Sequence, residues 1–238
     1  MQTKNYIDMA KENLKNEGGK SLESIESTLS KTELFIENNQ KTLLVIVAIV
    51  VVLVVGFFGV KKFYLEPREN DAQQAIYHAE QYFENDNFAN ALNGDGNNLG
   101  FADIVSEYGN TKTGNLAKYY AGVCCLKTGD FNKAIEYLKS FKGKDQLVTP
   151  LALGNIADAY LELGKVAEAA SYYEKAANIS KNSFTAPNML LRAAMTYEML
   201  GNYQKAISLY QQLKSEYPNS NEAFSIEKNI ANAETNTL

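Results

Sequence analysis

Tryptophan is absent from this sequence of 238 residues, and histidine, cysteine and proline are rare. The two cysteines, Cys124 and Cys125, are neighbours within a helical pattern, which excludes a disulfide framework and indicates two small buried side chains. The single histidine, His78, has no cysteine or second histidine nearby, so a metal site of the usual kind is not expected. With only four prolines and weak strand signals, the composition favours an all-α chain.

Recognisable catalytic arrangements are also missing from the sequence. A single histidine leaves no room for a serine, histidine and aspartate triad beyond His78 itself, and no glycine-rich phosphate loop follows a strand pattern. We therefore predict that the protein is not an enzyme and uses no cofactor, metal ion or small-molecule substrate. The net charge is -5, and the residues from Glu69 onward include 14 basic and 20 acidic side chains, so no nucleic-acid partner is expected either.

One long uncharged segment contrasts with this polar background. Residues 43–60, LLVIVAIVVVLVVGFFGV, are bracketed by Lys41 and by Lys61 and Lys62. As a helix rising about 1.5 Å per residue, the segment reaches roughly 27 Å, close to the hydrocarbon thickness of a bilayer. Because 42 residues precede it and no small-residue cleavage site follows it, we predict a transmembrane helix over 43–63, with the bilayer as a partner, and not a signal peptide.

The residues before and after this helix leave its orientation open. Two lysines lie shortly before it, and two lysines and an arginine lie shortly after it, so the counts that set membrane orientation nearly balance. Residues 1–42 are polar, and the apolar residues from Leu22 to Ile36 follow a helical stripe only loosely. They predict either a short amphipathic helix that leads into the membrane span or a flexible tail with a frayed helix.

Three phrases in the second half of the chain repeat one pattern: KTGDFNKAIEYL, ELGKVAEAASYY and MLGNYQKAISLY. Each has a turn glycine, an alanine five residues later and a large side chain four residues after that. These positions are Gly129, Ala134 and Leu138; Gly164, Ala169 and Tyr173; and Gly201, Ala206 and Tyr210. Glycine permits the sharp reversal between two antiparallel helices, and alanine lets the second helix approach the first closely.

The turn glycines are 35 and 37 residues apart, close to the 34-residue helix-turn-helix unit of the tetratricopeptide repeat. The three units therefore resemble that family, and the unit at 150–183 matches its pattern best. The resemblance implies an all-α fold in which one transmembrane helix is followed by a right-handed superhelix of helical hairpins. The expected regions are a polar tail with a short amphipathic helix at 1–42, the membrane helix at 43–63, a degenerate capping repeat region at 68–114, three repeats at 115–220 and a capping helix at 221–238.

A membrane helix, a degenerate opening region and a short acidic repeat array together resemble the YfgM-like ancillary subunits of the bacterial Sec translocon. That resemblance implies a single-pass protein of the bacterial inner membrane with a cytoplasmic N-terminus and a periplasmic repeat domain. The implied function is a scaffold that links the translocon to periplasmic, membrane-anchored chaperones during protein export. The alternative is a scaffold subunit of another cell-envelope or secretion assembly.

In the tetratricopeptide family the first helix of each hairpin lines a concave groove that binds other proteins. Carried over to this sequence, the resemblance implies a groove lined by Leu116, Tyr119, Val123, Leu126, Asp158, Leu161, Leu191, Met195 and Glu198. The predicted lining is largely apolar, and Tyr119 and Val123 cannot supply the positive charge that clamps a C-terminal carboxylate. A hydrophobic segment of a partner is the expected ligand, with a patch at one end of the array as the alternative contact site.

Overall fold

The computed structural model describes residues 35, 36 and 38–237, and these residues form helices without any β-strand. The all-helical class predicted from the sequence is therefore confirmed for this part of the chain. The amphipathic helix predicted within the N-terminal tail lies outside the described residues except at Phe35 and Ile36. The chain divides into two compact units, Met1–Phe63 and Tyr64–Leu238, each described by itself below.

The first unit carries an apolar helix. Residues 38–60 of this unit are α-helical and are called α1, and a π-helical turn follows at Lys61–Leu65. Its most apolar stretch has a mean hydropathy of 3.4, and the described residues bury none of it. This helix is long and apolar enough to span a membrane.

The second unit consists of α-helices joined by short loops, together with one 3₁₀ turn at Asn221–Ala223. The helices are α2 (Glu66–Glu84), α3 (Phe88–Asn93), α4 (Phe101–Tyr108), α5 (Lys112–Lys127), α6 (Phe131–Ser140), α7 (Val148–Glu162), α8 (Val166–Ile179), α9 (Ala186–Met199), α10 (Tyr203–Glu216) and α11 (Ile226–Thr235). Consecutive helices pack against each other as α5 with α6, α7 with α8 and α9 with α10, which gives three helical hairpins.

Each hairpin turns at one of the glycines that the repeated phrases predict. Gly129, Gly164 and Gly201 have φ values of 84°, 70° and 71°, a left-handed conformation that glycine adopts without steric strain. The next helix then begins at once. In the first and third hairpins, the side chains of Asp130 and Asn202 accept hydrogen bonds from backbone N–H groups three residues later, which caps α6 and α10.

The alanines after these turns are fully buried, at 0% exposure for Ala134, Ala169 and Ala206. The large residues one turn further on, Leu138, Tyr173 and Tyr210, are also buried and fill the space between helices. In the first hairpin a glycine also lies where the two helices meet. A Cβ atom on Gly122 of α5 would lie 2.5 Å from Cγ of Leu138, so a larger side chain at 122 would push α5 and α6 apart.

The region before the first hairpin has its own aromatic core. The Phe101 ring stacks on Tyr120 with 4.9 Å between centroids, and the Phe83 ring meets Tyr120 edge-on at 5.0 Å. The helix that begins this region starts at Glu66, two residues before the predicted region 68–114, and Pro67 is well suited to its first turn. At the other end of the array, α11 starts at Ile226 after the 3₁₀ turn.

Both cysteines are fully buried in this unit and are free thiols. Burial raises the pKa of Cys124 to about 12 and that of Cys125 to about 11. The thiolates that react with oxidants or metals are therefore scarce at neutral pH. These side chains act as the small hydrophobic residues that their position in the sequence indicates.

Candidate protein-binding groove

Three consecutive helices of the array meet at one polar cluster. Asp158 of α7 accepts a hydrogen bond from the Tyr173 hydroxyl of α8 and another, at 2.7 Å, from Nη1 of Arg192 on α9. The Arg192 guanidinium also lies over the Tyr173 ring, 5.3 Å from its centroid. The cluster therefore ties the second hairpin to the third, and it orients the Arg192 side chain at the surface between them.

The contacts among these three side chains also set their pKa values. Burial opposes the charge of Arg192, but the Asp158 carboxylate outweighs this effect and raises the Arg192 pKa. Burial, followed by the hydrogen bond to Asp158, raises the pKa of Tyr173 well above its ordinary value. The Tyr173 hydroxyl is consequently protonated and donates, while Asp158 and Arg192 form an ion pair whose charges largely cancel.

A groove with a volume of about 670 Å³ opens beside this cluster. Residues from all three hairpins line it. They are Leu126, Lys127, Gly129, Phe131, Asp158, Leu161, Glu162, Tyr173, Arg192, Met195, Thr196 and Met199. The charged members are two basic and two acidic residues, so the lining has no net charge, and most of the remaining lining side chains are apolar.

Two methionines give the groove its most accessible apolar surface. Met195 and Met199 of α9 are 49% and 66% exposed, although both are apolar and lie one helical turn apart on the same face. The methionine side chain is unbranched and polarisable, so it adapts to ligands of different shapes. An exposed pair of this kind next to an ordered ion pair is suited to holding an apolar segment of another protein.

A second polar cluster holds the third hairpin in place. Glu174 of α8 accepts hydrogen bonds from Tyr197 of α9 at 2.8 Å and from Lys205 of α10 at 2.7 Å. Burial tends to raise the pKa of Glu174, but the bonds from Lys205 and Tyr197 prevail and lower it. Burial and the bond to Glu174 raise the pKa of Tyr197 to about 12. The Asp158 cluster thus joins α9 to α7, and the Glu174 cluster joins α8 to both α9 and α10.

The structure brings together four of the nine residues proposed for the groove from the sequence. These four are Leu126, Asp158, Leu161 and Met195. The other five lie outside the lining of this groove: Leu116, Tyr119, Val123, Leu191 and Glu198. Val123 is only 8% exposed, and Tyr119 and Leu191 pack against core clusters. Glu198 is partly buried, and this burial raises the pKa of its carboxyl group.

Sequence reasoning missed the other eight lining residues. They are Lys127, Gly129, Phe131, Glu162, Tyr173, Arg192, Thr196 and Met199. Met199 follows Met195 by four residues, so helical spacing alone was a sufficient signal for it. Arg192 follows Asp158 by 34 residues, about the length of one repeat, which is the spacing at which side chains of successive first helices can meet.

Comparisons with known proteins agree with this architecture. Residues 148–215, which cover α7 to α10 except its last residue, match the family model described as a tetratricopeptide repeat. A crystal structure of a Podosopora anserina protein, described as a kinesin light chain with nearly identical TPR-like repeats, is similar with a TM-score of 0.53. The two proteins share 16% sequence identity, and the similarity covers 69% of this chain and 86% of that one.

A point variant of the same Podosopora anserina protein is similar to the same degree, with a TM-score of 0.53, 16% identity, and coverage of 69% of this chain and 85% of that chain. Comparison with curated protein sequences gives no match. At such low identity, the structural similarity establishes the fold alone. The fold is a tetratricopeptide-type array of helical hairpins, as predicted from the turn glycines, and repeats of this type typically form non-catalytic scaffolds that bind other proteins.

Proposed function

We propose that this protein is a membrane-anchored scaffold whose groove, defined by Asp158, Arg192, Met195 and Met199, binds an apolar segment of another protein. The observation that carries the proposal is the pair of exposed methionines beside a self-neutralised ion pair. A partner that buries these methionines gains free energy by removing apolar surface from water and does not have to separate Asp158 from Arg192.

The membrane anchor is supported by the exposed apolar helix. None of the most apolar stretch of Asn38–Glu84 is covered by the rest of the described chain, although its mean hydropathy is 3.4. Such a surface is stable in the hydrocarbon core of a bilayer and unfavourable in water. We propose residues 43–63 as the single transmembrane helix of a bacterial inner-membrane protein, with the N-terminus in the cytoplasm and the repeat domain in the periplasm.

The partners that we propose are subunits of the Sec translocon and a membrane-anchored periplasmic chaperone, which the scaffold brings together during export. Export presents unfolded apolar segments to nearby proteins, and a neutral groove with adaptable methionines is compatible with many such segments. The groove is less suitable for a C-terminal carboxylate, because Arg192, one of its two basic residues, is already paired with Asp158.

Site-specific photo-cross-linking in cells tests the groove and identifies its partner. A photoreactive phenylalanine analogue at Met199 is expected to cross-link translocon subunits or the chaperone. The same analogue at Tyr77 of α2 serves as the control, because Tyr77 is 56% exposed but lies away from the groove. Cross-links to components of another envelope or secretion assembly would support the alternative scaffold. Equal products at both positions would contradict binding in the groove.

The proposed orientation has a separate test. Protease added to intact cells whose outer membrane has been permeabilised is expected to digest the repeat domain and leave the tail before residue 43 protected. The opposite pattern would place the repeats in the cytoplasm and remove periplasmic chaperones from consideration as partners.

A further inference from the structure

One edge of the repeat domain is formed by the segments that connect one hairpin to the next. We call it the loop edge and define it as residues 109–111, 141–147, 180–185 and 217–225, which join α4 to α5, α6 to α7, α8 to α9 and α10 to α11. Because neighbouring helices in the array are antiparallel, all of these connections lie at the same end of the helices. The hairpin turns at Gly129, Gly164 and Gly201 lie at the opposite end.

Hydrogen bonds link the loop edge to the point at which the chain begins the second unit. The Glu69 carboxylate, in the first turn of α2, accepts hydrogen bonds from the backbone N–H of Lys112 at 2.7 Å and the Thr113 hydroxyl at 2.8 Å. Arg68, its neighbour, lies over the rings of both Tyr64 and Tyr108. The start of α2 therefore lies at the same edge as the start of α5.

The same edge continues across the other connections. Asn115 donates a hydrogen bond to the Lys142 carbonyl at 3.2 Å and accepts one from the Lys142 N–H at 3.0 Å. The Asn182 side chain donates to the Gln146 carbonyl at 2.7 Å, which joins segment 141–147 to segment 180–185. Ser183 and residues 217–220 then line a common cavity of about 420 Å³. The four connecting segments thus form one continuous surface that includes the first residues of the unit.

This surface displays isolated apolar side chains in water. Phe184 is 78% exposed, Phe224 is 83% exposed and Leu147 is 49% exposed, while Ile179, the last residue of α8, is 48% exposed. Segments of this kind are ordinarily polar. A phenylalanine left four-fifths exposed in two separate connections favours a role in which the ring leaves water after folding.

The charge of the loop edge differs in sign from that of the rest of the domain. Its four segments contain three lysines, Lys142, Lys144 and Lys181, all exposed, against two acidic residues, Asp145 and Glu222. The Asp145 carboxylate already accepts hydrogen bonds from the Leu147 N–H and the Thr149 hydroxyl. The remaining residues from Glu69 onward include 11 basic and 18 acidic side chains. An acidic domain thus has a locally basic edge with exposed aromatic rings.

We infer that the loop edge rests on the bilayer surface, with Phe184 and Phe224 in the interfacial region and the three lysines near anionic lipid headgroups. The inference builds on the proposed membrane anchor, because the residue that starts the unit, Tyr64, follows the apolar helix by only a few residues. Aromatic rings and lysines are the residues that the membrane interface favours, and lysine near an anionic surface gains electrostatic attraction. A protein partner would more often be received by a contiguous apolar groove than by separate projecting rings.

Single tryptophans test this inference without background, because the natural sequence has none. The full-length chain is reconstituted at one copy per nanodisc, and tryptophan emission is compared between ordinary and brominated phospholipids, which quench on contact. The variants are Phe184→Trp and Phe224→Trp on the loop edge, Met199→Trp at the opposite edge as the matched exposed control, and Phe57→Trp within the apolar helix. Circular dichroism and thermal unfolding check that each variant folds like the parent.

The expected result is a large loss of emission for Phe57→Trp, a clear loss for Phe184→Trp and Phe224→Trp, and none for Met199→Trp. Quenching at Phe57→Trp alone would overturn the contact of the loop edge and leave the anchor in place. An unquenched Phe57→Trp would overturn the anchor and the inference together. If emission at 184 and 224 instead changes with protein concentration in detergent, the edge contacts a second copy, which also overturns the inference.

Discussion

The groove and the loop edge are built from the same hairpins, but they differ in how charged side chains are arranged around their exposed apolar residues. In the groove, Arg192 is paired with Asp158, so the exposed methionines are the groups left free to bind. At the loop edge, the exposed aromatic rings stand among lysines that outnumber the nearby acidic residues. Pairing the charges makes a surface suitable for an apolar protein segment, whereas leaving lysines beside aromatic rings makes one suitable for a lipid interface. The repeats keep the two surfaces apart, because they place hairpin turns at one end of the helices and connections at the other.

Removing the Tyr173 side chain should have the largest effect, because both surfaces depend on the packing of the same hairpins. Tyr173 is 1% exposed, and its hydroxyl donates to Asp158. Tyr173→Ala is expected to lower the free energy of unfolding by about 3–5 kcal/mol, the range for large buried aromatic side chains. Urea unfolding followed by circular dichroism measures this loss. Tyr172→Ala, at the neighbouring half-buried position, is the control and should lose less; equal losses would contradict the central role of Tyr173.

Removing the lysines of the loop edge should weaken its contact with anionic membranes and leave the groove intact. The change is Lys142, Lys144 and Lys181 together to glutamine, made in the Phe184→Trp variant. Each lysine near an anionic surface contributes about 1 kcal/mol, so quenching by brominated anionic lipid should fall while quenching by zwitterionic lipid stays nearly constant. Changing Lys127, Lys133 and Lys165 to glutamine gives a control of equal charge, because these exposed lysines lie near the hairpin turns, away from that edge. A fall of equal size in the control would assign the effect to net charge.

Neutralising Asp158 should affect the groove and leave the loop edge unchanged. Asp158→Asn keeps the shape but removes the charge that pairs with Arg192, which is 42% exposed on its side chain. Because solvent screens part of this interaction, we expect a stability loss of about 1–2 kcal/mol, well below that of a fully buried pair. The freed arginine should also let the groove bind acidic segments, detectable as stronger retention of an acidic peptide by the variant. Unchanged stability and peptide binding would show that the pair does not organise the groove.

The fold could be predicted from the sequence because its signals are local. A glycine with positive φ at each turn and an alanine at each close approach are requirements that single residues satisfy, so Gly129, Gly164 and Gly201 with their alanines were enough to define the hairpins. The start of the last helix was harder to predict from the sequence. A 3₁₀ turn at Asn221–Ala223 precedes α11, and this tighter turn leaves the same sequence pattern as the first turn of an α-helix.

The candidate groove could be predicted only in part, because its lining depends on how hairpins stack. Met195 corresponds to Asp158 when the turn glycines are aligned, and the partner of Asp158 is Arg192, about one helical turn earlier on α9. The tilt between successive hairpins decides which of these positions contacts α7. Turn alignment alone does not predict that tilt. The exposure of Phe184 and Phe224 could not be predicted for another reason. Both residues lie in irregular segments, where the exposure of a side chain depends on the loop conformation.

Two glutamates provide the smallest and most discriminating test, because Glu174 forms an ion pair with Lys205 whereas burial dominates the environment of Glu198. Bonds from Lys205 and Tyr197 outweigh burial and lower the pKa of Glu174 below its ordinary value of 4.5, whereas burial raises the pKa of Glu198 above 4.5. A lowered pKa means that the Glu174 carboxylate stabilises the fold above pH 4.5 and that this contribution is lost as the pH falls through the folded-state pKa. A raised pKa means the reverse: ionised Glu198 destabilises the fold at neutral pH, and protonation relieves that effect as the pH falls.

Glutamine at each position should therefore change stability in opposite directions. Glu174→Gln is expected to lower the midpoint of thermal unfolding at neutral pH, and its difference from the parent should shrink as the pH falls below 4.5. Glu198→Gln is expected to raise the midpoint at neutral pH, with a difference that also vanishes in acid, because the parent carboxyl is then protonated. Thermal unfolding of both variants across this pH range measures the two differences. If both have the same sign, the nearby Tyr210 hydroxyl stabilises ionised Glu198 by more than burial destabilises it, and the contrast between the two carboxylates fails.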